Sequence, residues 1–351
     1  MTQYIVYSRQ DSGGNGHIAI RSRADLSSAW GAETTIINYN DSGLDAATVT
    51  VRFPHLVKDP DATGWYLFFS SEESPTNFRI YRAHSSDADP TATSWGSITL
   101  LLSGSGTGGA FDENGVAGPF VFRLSPGDWR MLFTGYDASD FDTGSWEGGM
   151  ASATAIDGTW TRDSGNPIWP KITTATTISG TPPGPRVFNV SSTTGFSVGQ
   201  AIVIGGAASG RVKYRPTRIR KILSSTQLET WNRMAAVDTQ NVAAFDGFSI
   251  QPRMIRKPLE AGYDWEMWAT IYRFQDGEEG VGRYLGVGSD PADATWALAT
   301  DHGFPWVGIP YLGGTTTGQD YWGRSAENIG FIVDRTMIEI PTTPRRVAIV
   351  S

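Results

Sequence analysis

Short apolar runs recur along this chain in a fixed order, separated by polar turns. Three of them open on a residue followed by proline: Phe53-Pro54-His55-Leu56-Val57, Gly118-Pro119-Phe120-Val121-Phe122 and Gln251-Pro252-Arg253-Met254-Ile255. Proline has no N–H to give to a ladder, so it fits the first position of a strand, and each run reads as the inner strand of a unit. After a polar turn comes an aromatic-rich run, Trp65-Tyr66-Leu67-Phe68-Phe69, Trp129-Arg130-Met131-Leu132-Phe133 or Trp265-Glu266-Met267-Trp268-Ala269. Apolar residues at both odd and even positions mark a strand covered on both faces. A third run ends in small residues before an acidic turn and a tryptophan: Ile80 to Ser85 with Asp87 and Trp95, Gly149 to Ala153 with Asp157 and Trp160, Tyr284 to Ser289 with Asp290 and Trp296. The N-terminus carries the later part of the same pattern, Tyr4 to Tyr7, then His17 to Ser22 with Asp25 and Trp30. An Asp that bonds turn backbone and a Trp that packs between units both have structural reasons to recur.

A unit repeated at this period cannot bury its faces alone and has to stack on its neighbours. The interval from Pro119 to Pro252 is about twice that from Pro54 to Pro119, so one unit's length of extra chain lies between them. The pattern changes at 171–238, to Thr/Gly/Pro-rich sequence with the runs Val187 to Val190, Ala201 to Ile204, Arg218 to Leu223 and Gln227 to Glu229. These predict a small inserted β-barrel or meander, with the repeat occupying 1–170 and 239–351. A last unit follows Asn328, with Phe331-Ile332-Val333, Met337-Ile338-Glu339-Ile340 and Val347-Ala348-Ile349-Val350 as its strands. Because the first unit has no inner strand of its own, a C-terminal strand is expected to complete it. The count implies an all-β, five-bladed β-propeller, an architecture whose radial repetition leaves only short protected edges.

Composition narrows the chemistry. The 351 residues include no cysteine, which excludes disulfides, thiolate nucleophiles and zinc–thiolate sites. No stretch approaches the roughly 20 apolar residues of a membrane helix, so no membrane insertion is expected. A formal charge of −8 argues against a nucleic-acid partner, which would need clustered cations. The most basic window, Arg211 to Lys221, reads as a solvated strand face. The four histidines show no metal-ligand spacing, Asp137, Asp140 and Asp142 lack the glycine turn and distal glutamate of a calcium loop, and Gly104 to Gly109 lacks the lysine of a phosphate loop. No metal and no cofactor are expected.

The segments Gly115-Val116-Ala117-Gly118-Pro119, Trp129 to Gly135, Ala155-Ile156-Asp157-Gly158-Thr159-Trp160-Thr161-Arg162 and Asn166-Pro167-Ile168 resemble the five-bladed propeller glycosidases, the superfamily of invertase-like fructosidases, arabinanases and xylosidases. The resemblance implies catalytic carboxylates at the starts of the inner strands in the first three blades. This chain departs from that pattern. Phe53 stands where the second blade's acid belongs, Ala117 and Gly118 where the third blade's glutamate belongs, and no inner-strand Asp precedes the first blade.

Those departures imply a silent propeller that binds glycan through Arg52, Phe53, His55, Asn114, Gln251, Arg253 and Asn328, which offer directional hydrogen bonds and an aromatic face. The alternative is an active glycoside hydrolase or depolymerase with a rearranged acid pair drawn from Asp112, Glu113 and Glu327. The segment Val190 to Ile204, with Thr217 to Ile219 and Thr226 to Glu229, is similar to small β modules of bacteriophage tail and fibre proteins. With no secretion signal at Met1 to Ser8, that similarity implies a virion protein, made in the host cytoplasm, whose partners are host surface polysaccharide and, through 171–238, other virion proteins. A homo-oligomer is compatible with such a setting.

Overall fold

The computed structural model describes residues 2–302 and 329–333 apart from internal stretches, the longest being 138–145, 207–216, 231–240, 246–250, 257–260 and 273–278. Every regular element described is a β-strand. Four antiparallel four-stranded sheets form the blades of a β-propeller. Blade two is β4 (Thr50–Lys58), β5 (Trp65–Ser74), β6 (Asn77–Ser85) and β7 (Gly96–Leu102), in that order from inside outward. Blade three repeats it with β8 (Gly115–Ser125), β9 (Asp128–Tyr136), β10 (Trp146–Ala153) and the short β11 (Thr161–Arg162). Blade four does so with β18 (Gln251–Arg256), β19 (Trp265–Tyr272), β20 (Glu279–Val287) and β21 (Thr295–His302).

Blade one is built from both ends of the described chain. It comprises β1 (Gln3–Gln10), β2 (Gly16–Arg23) and β3 (Thr34–Asn38), and its inner strand is β22 (Ile329–Val333), which pairs antiparallel with β1. The C-terminal strand therefore supplies the inner strand that the N-terminal pattern lacks. It also follows that Phe331-Ile332-Val333 belong to blade one and not to a fifth unit, because they pair in register with Gln3 to Ile5. The runs Met337 to Ile340 and Val347 to Val350, and with them the fifth blade, lie outside the described residues.

The inner strands pack in the sequence β22, β4, β8, β18, each against the next. Between blades one and two, Val6, Ile18 and Ile20 meet Val51, Leu56, Trp65, Leu67 and Phe69. Between two and three, Tyr66, Phe68 and Ile80 meet Val116, Val121, Met131 and Phe133. Between three and four, Leu132 and Met150 meet Trp265, Met267, Tyr284 and Trp296. Alternate side chains of β5 and of β9 thus enter two different cores, which is why those strands read as continuously apolar.

Two of the recurring turns, those of blades two and four, tie their tryptophan and an aspartate to turn backbone. Trp95 Nε1 donates to the Pro90 carbonyl at 3.1 Å and Trp296 Nε1 to the Pro291 carbonyl at 3.3 Å, while Asp290 accepts from the Ala292 amide at 2.8 Å. In blade two the carboxylate that accepts from turn backbone this way is Asp89, from the Thr91 amide at 2.9 Å.

A separate six-stranded sheet runs from Ile172 to Phe245 in the order β12 (Ile172–Thr177), β17 (Asn241–Phe245), β14 (Ala201–Gly206), β15 (Thr217–Ser224), β16 (Gln227–Thr230), β13 (Val187–Asn189). Its two edges meet. The Ser179 amide donates to the Asn189 carbonyl and the Ser191 amide to the Thr177 carbonyl, both at 2.9 Å, about an Ile178–Val190 bridge. Among the described residues the sheet therefore closes into a barrel, filled by Phe188, Val190, Phe196, Ile202, Ile219, Leu228 and Val242.

One polar clamp joins blades three and four. Arg130 reaches Asp128 at 2.7 Å and Asp163 at 3.2 Å in its own blade and Asp290 at 2.9 Å in the next. Removing the cation leaves three carboxylates facing one another in a partly buried site. Arg130→Ala is expected to destabilise the protein by about 2–4 kcal/mol, read as a shifted urea midpoint, and restoring only the side-chain volume with Arg130→Met is expected to recover little of it.

Candidate functional site

Inner strands β4 and β8 both break their ladder at the residue before proline. The β4–β5 register shifts between Arg52 and His55, and the β8–β9 register between Ala117 and Phe120. At the break the backbone turns into the left-handed region, with φ 64° at Gly118 and φ 55° at Phe53. Glycine takes that conformation freely. A phenylalanine there carries a cost of about 1–2 kcal/mol, and a following proline adds to the steric conflict. Strain of this kind persists where surrounding structure holds it, and it concentrates at functional sites.

What holds Phe53 is the seam between blades two and three. Its ring is buried with Phe78 and Ala117, at 6.3 Å from the Phe78 ring centroid. Just beside it, the Gly118 amide donates across the seam to Ser70 Oγ at 3.0 Å. Phe78 lies directly opposite Glu72 on the β5–β6 ladder, so the Glu72 carboxyl flanks the same aromatic cluster. Arg52 Nε meets Glu72 Oε2 at 3.0 Å, with the arginine side chain 32% exposed and the glutamate side chain 11%. Burial raises the Glu72 carboxyl above its ordinary range, against the opposing pull of Arg52. Burial also raises its neighbour Glu73, held by Arg79 Nε at 2.8 Å and Asn77 Nδ2 at 2.6 Å.

These groups lie at one end of the propeller, the end at which the inner strands begin. The blade-three part of that rim is formed by the turn before β8 and the end of β9. Asn114 Nδ2 donates to the Asp137 carbonyl at 2.9 Å, and the Asp137 residue is itself buried.

The residues singled out in the sequence separate into distinct groups. Arg52 and Phe53 sit together at the rim. His55 is fully buried and its Nε2 bonds the Val121 carbonyl at 2.9 Å, so it fastens blade two to blade three; burial pushes its pKa down to about 4 and keeps it neutral. Asp112 is buried and ion-paired with Arg162 Nε at 2.6 Å, packing on Gly135, where a Cβ would lie 2.9 Å from that of Asp112. Glu113 accepts from the Gly109 amide at 2.7 Å. Both acids therefore anchor the connection between β7 and β8. Gln251 and Arg253 lie on β18, the inner strand of blade four. Glu327 and Asn328 lie outside the described residues, as do Asp140 and Asp142.

Sequence reasoning passed over Glu72 and Glu73. In Ser70-Ser71-Glu72-Glu73-Ser74 they look like turn residues following an aromatic strand, whereas β5 continues through Ser74. The available signal was a cross-strand one, Arg52 two residues from the opposite end of the neighbouring strand.

Neither a protein-family model nor a curated protein sequence matches the chain. Solved structures similar to it are glycoside hydrolases. An exo-1,5-α-L-arabinanase from a bovine ruminal metagenomic library is 13% identical with a TM-score of 0.43, over 85% of this chain and 74% of that one. An α-L-arabinofuranosidase from Lactobacillus brevis is 10% identical with a TM-score of 0.41, over 84% and 71%. A Cellvibrio cellulosa α-L-arabinanase complexed with arabinohexaose is 11% identical with a TM-score of 0.40, over 84% and 73%.

The backbone at Phe53 supplies a sign test. At an ordinary strand position glycine is less stable than alanine by roughly 0.5–1 kcal/mol. Here both truncations lose the ring, and alanine alone keeps the left-handed conflict. Phe53→Gly is therefore expected to be more stable than Phe53→Ala by about 1 kcal/mol in chemical denaturation.

Proposed function

We propose that this chain acts on carbohydrate, as a glycoside hydrolase with a rearranged acid pair, and that the sugar lies across the rim between blades two and three. The observation that supports this reading is Glu72: a largely buried carboxyl whose proton affinity burial raises, beside an aromatic cluster and a partly exposed arginine. A general acid for glycosidic cleavage must carry its proton once the sugar is bound, and burial against apolar groups favours that form. Glu72 gives its proton to the leaving oxygen. Asp137, on the blade-three side of the same rim, is the base that takes a proton from the attacking water. The bond from the anomeric carbon to the leaving oxygen breaks as the bond to water oxygen forms, and two hydroxyls result.

A second reading is a silent glycan-binding propeller carried on a virion, with the six-stranded barrel, 171–238 with its flanking strands, as an inserted assembly module and host surface polysaccharide as the ligand. The observation favouring it is that Phe53, Ala117 and Gly118 occupy positions where the resemblance places acids, and that all three are buried.

Incubation with a panel of plant and bacterial polysaccharides, assayed for both polymer retention and reducing ends, separates the two. The proposed reading predicts release of reducing ends that falls at least about 100-fold in Glu72→Gln and in Asp137→Asn, with thermal unfolding nearly unchanged. Retention without release transfers the rim to the silent reading. Neither retention nor release removes carbohydrate from the account.

A further inference from the structure

We infer that the rim selects acidic sugars, units bearing a carboxylate, and that taking one up transfers a proton from solvent to Glu72. The inference rests on the carbohydrate reading above and deepens it by naming the substrate class.

The asymmetry of the Arg52–Glu72 pair carries the argument. The cation faces outward, at 32% exposure, and the anion inward, at 11%. The contact uses Nε, so the Nη donors of the guanidinium remain on the exposed side. A planar guanidinium fork matches a carboxylate in two parallel hydrogen bonds, which a neutral sugar hydroxyl cannot reproduce. The nearby ring of Phe53 and its partner Phe78 provide apolar surface against which that ion pair forms.

The proton follows from charge balance. Arg52 and Glu72 together are neutral. A bound sugar carboxylate brings a second anion to the same cation, and one of the two anions is then uncompensated. Glu72 is the one out of water, so it is the one neutralised, by a proton from solvent. Among the described residues Arg52 is the cation that acts on it. On β4 and β5 the remaining charged groups are Lys58, at the far end of β4 over the Trp65 ring, and Glu73, with Arg79 from β6 and Asp45 from the turn before β4. The last three form their own chain, Arg79 Nε to Glu73 at 2.8 Å and Arg79 Nη1 to Asp45 at 3.0 Å, on the face of Ser71, opposite to that of Glu72. Beside Glu72, blade three brings Ala117 and Gly118 to the seam and β6 brings Phe78, while Asp137, at the end of β9 on the same rim, supplies no cation. The step is a proton transfer: an O–H bond forms on the Glu72 carboxylate and the bond from that proton to the buffer acid breaks, leaving the buffer base in solution, as the sugar carboxylate docks on Arg52.

The test is titration calorimetry near neutral pH with trigalacturonate and, in parallel, with a neutral xylotriose. Each is run in two buffers of different ionisation enthalpy, phosphate and Tris. The inference expects trigalacturonate to bind at least about tenfold more tightly than xylotriose and to take up about one proton per site. Glu72→Gln is expected to keep the binding and lose the proton uptake, and Arg52→Gln to lose the preference for the acidic sugar. Trigalacturonate binding without proton uptake overturns the coupling. Xylotriose binding as well as or better than trigalacturonate overturns the substrate class but leaves the carbohydrate reading intact. If neither sugar binds, both fall together. The wild-type measurement in two buffers is decisive by itself, whether or not either variant folds.

Discussion

A four-stranded sheet that is apolar on both faces has no stable existence alone, and this one requirement organises the molecule. The second strand of blade two sends alternate side chains into two cores, Leu67 and Phe69 toward blade one and Tyr66 and Phe68 toward blade three, and β9 does the same with Leu132 against Met131 and Phe133. At roughly 1.5–3 kcal/mol per fully buried large apolar side chain, such a blade is stable only while both neighbours are in place. Blade one obtains its inner strand from the far end of the chain, through the pairing of Tyr4 with Ile332 and Val6 with Gly330, so the sheets are held as a set and not as separable units.

Packing alone does not explain the rim. Lower on the inner strands the seam between blades two and three is mainly apolar, with His55 as a neutral fastener. At the strand starts it admits Ser70, Glu72, Arg52 and the bulged residues before proline. Gly118 shows that the bulge itself has an unstrained solution. Phe53 adopts the same turn with a full side chain, and its ring closes the seam beside Glu72. The ring thus has two effects at once: it costs backbone strain, and it dries the neighbourhood in which the Glu72 carboxyl keeps a raised proton affinity and Arg52 keeps a strong field.

Much of the fold was legible in the sequence because the repeat writes the same physical demand several times. Pro252 stands at the start of β18, but Pro54 and Pro119 mark a bulge inside β4 and β8, which begin four residues earlier because the bulge lets the ladder continue past a residue without an N–H; Trp65, Trp129 and Trp265 mark the strands that follow. The C-terminal closure was legible as a missing inner strand, but its residues were not: Phe331 to Val333 look equally suited to a blade of their own, and only pairing with Gln3 to Ile5 decides the matter. Likewise β12 and β17 are Thr- and Ala-rich, and nothing local distinguishes them from linker until the barrel closes on them. The site was harder still. Asp112 and Glu113 sit before an inner strand in positions suited to chemistry, yet Arg162 and the Gly109 amide use them for anchoring. Glu72 acquires its character from Arg52 and Phe78, which approach it from two other strands, and a single run of sequence does not record that meeting.

The central claim is that ligand meets this protein at the starts of β4 and β8 and not on the barrel. Hydrogen exchange with and without a bound acidic oligosaccharide addresses it directly. The account predicts slowed exchange of the amides at 50–53 and 115–118, with the Gly118 amide on Ser70 among them, and an unchanged pattern across 187–190 and 217–230. Protection confined to the barrel strands, with the rim amides unaltered, would contradict it.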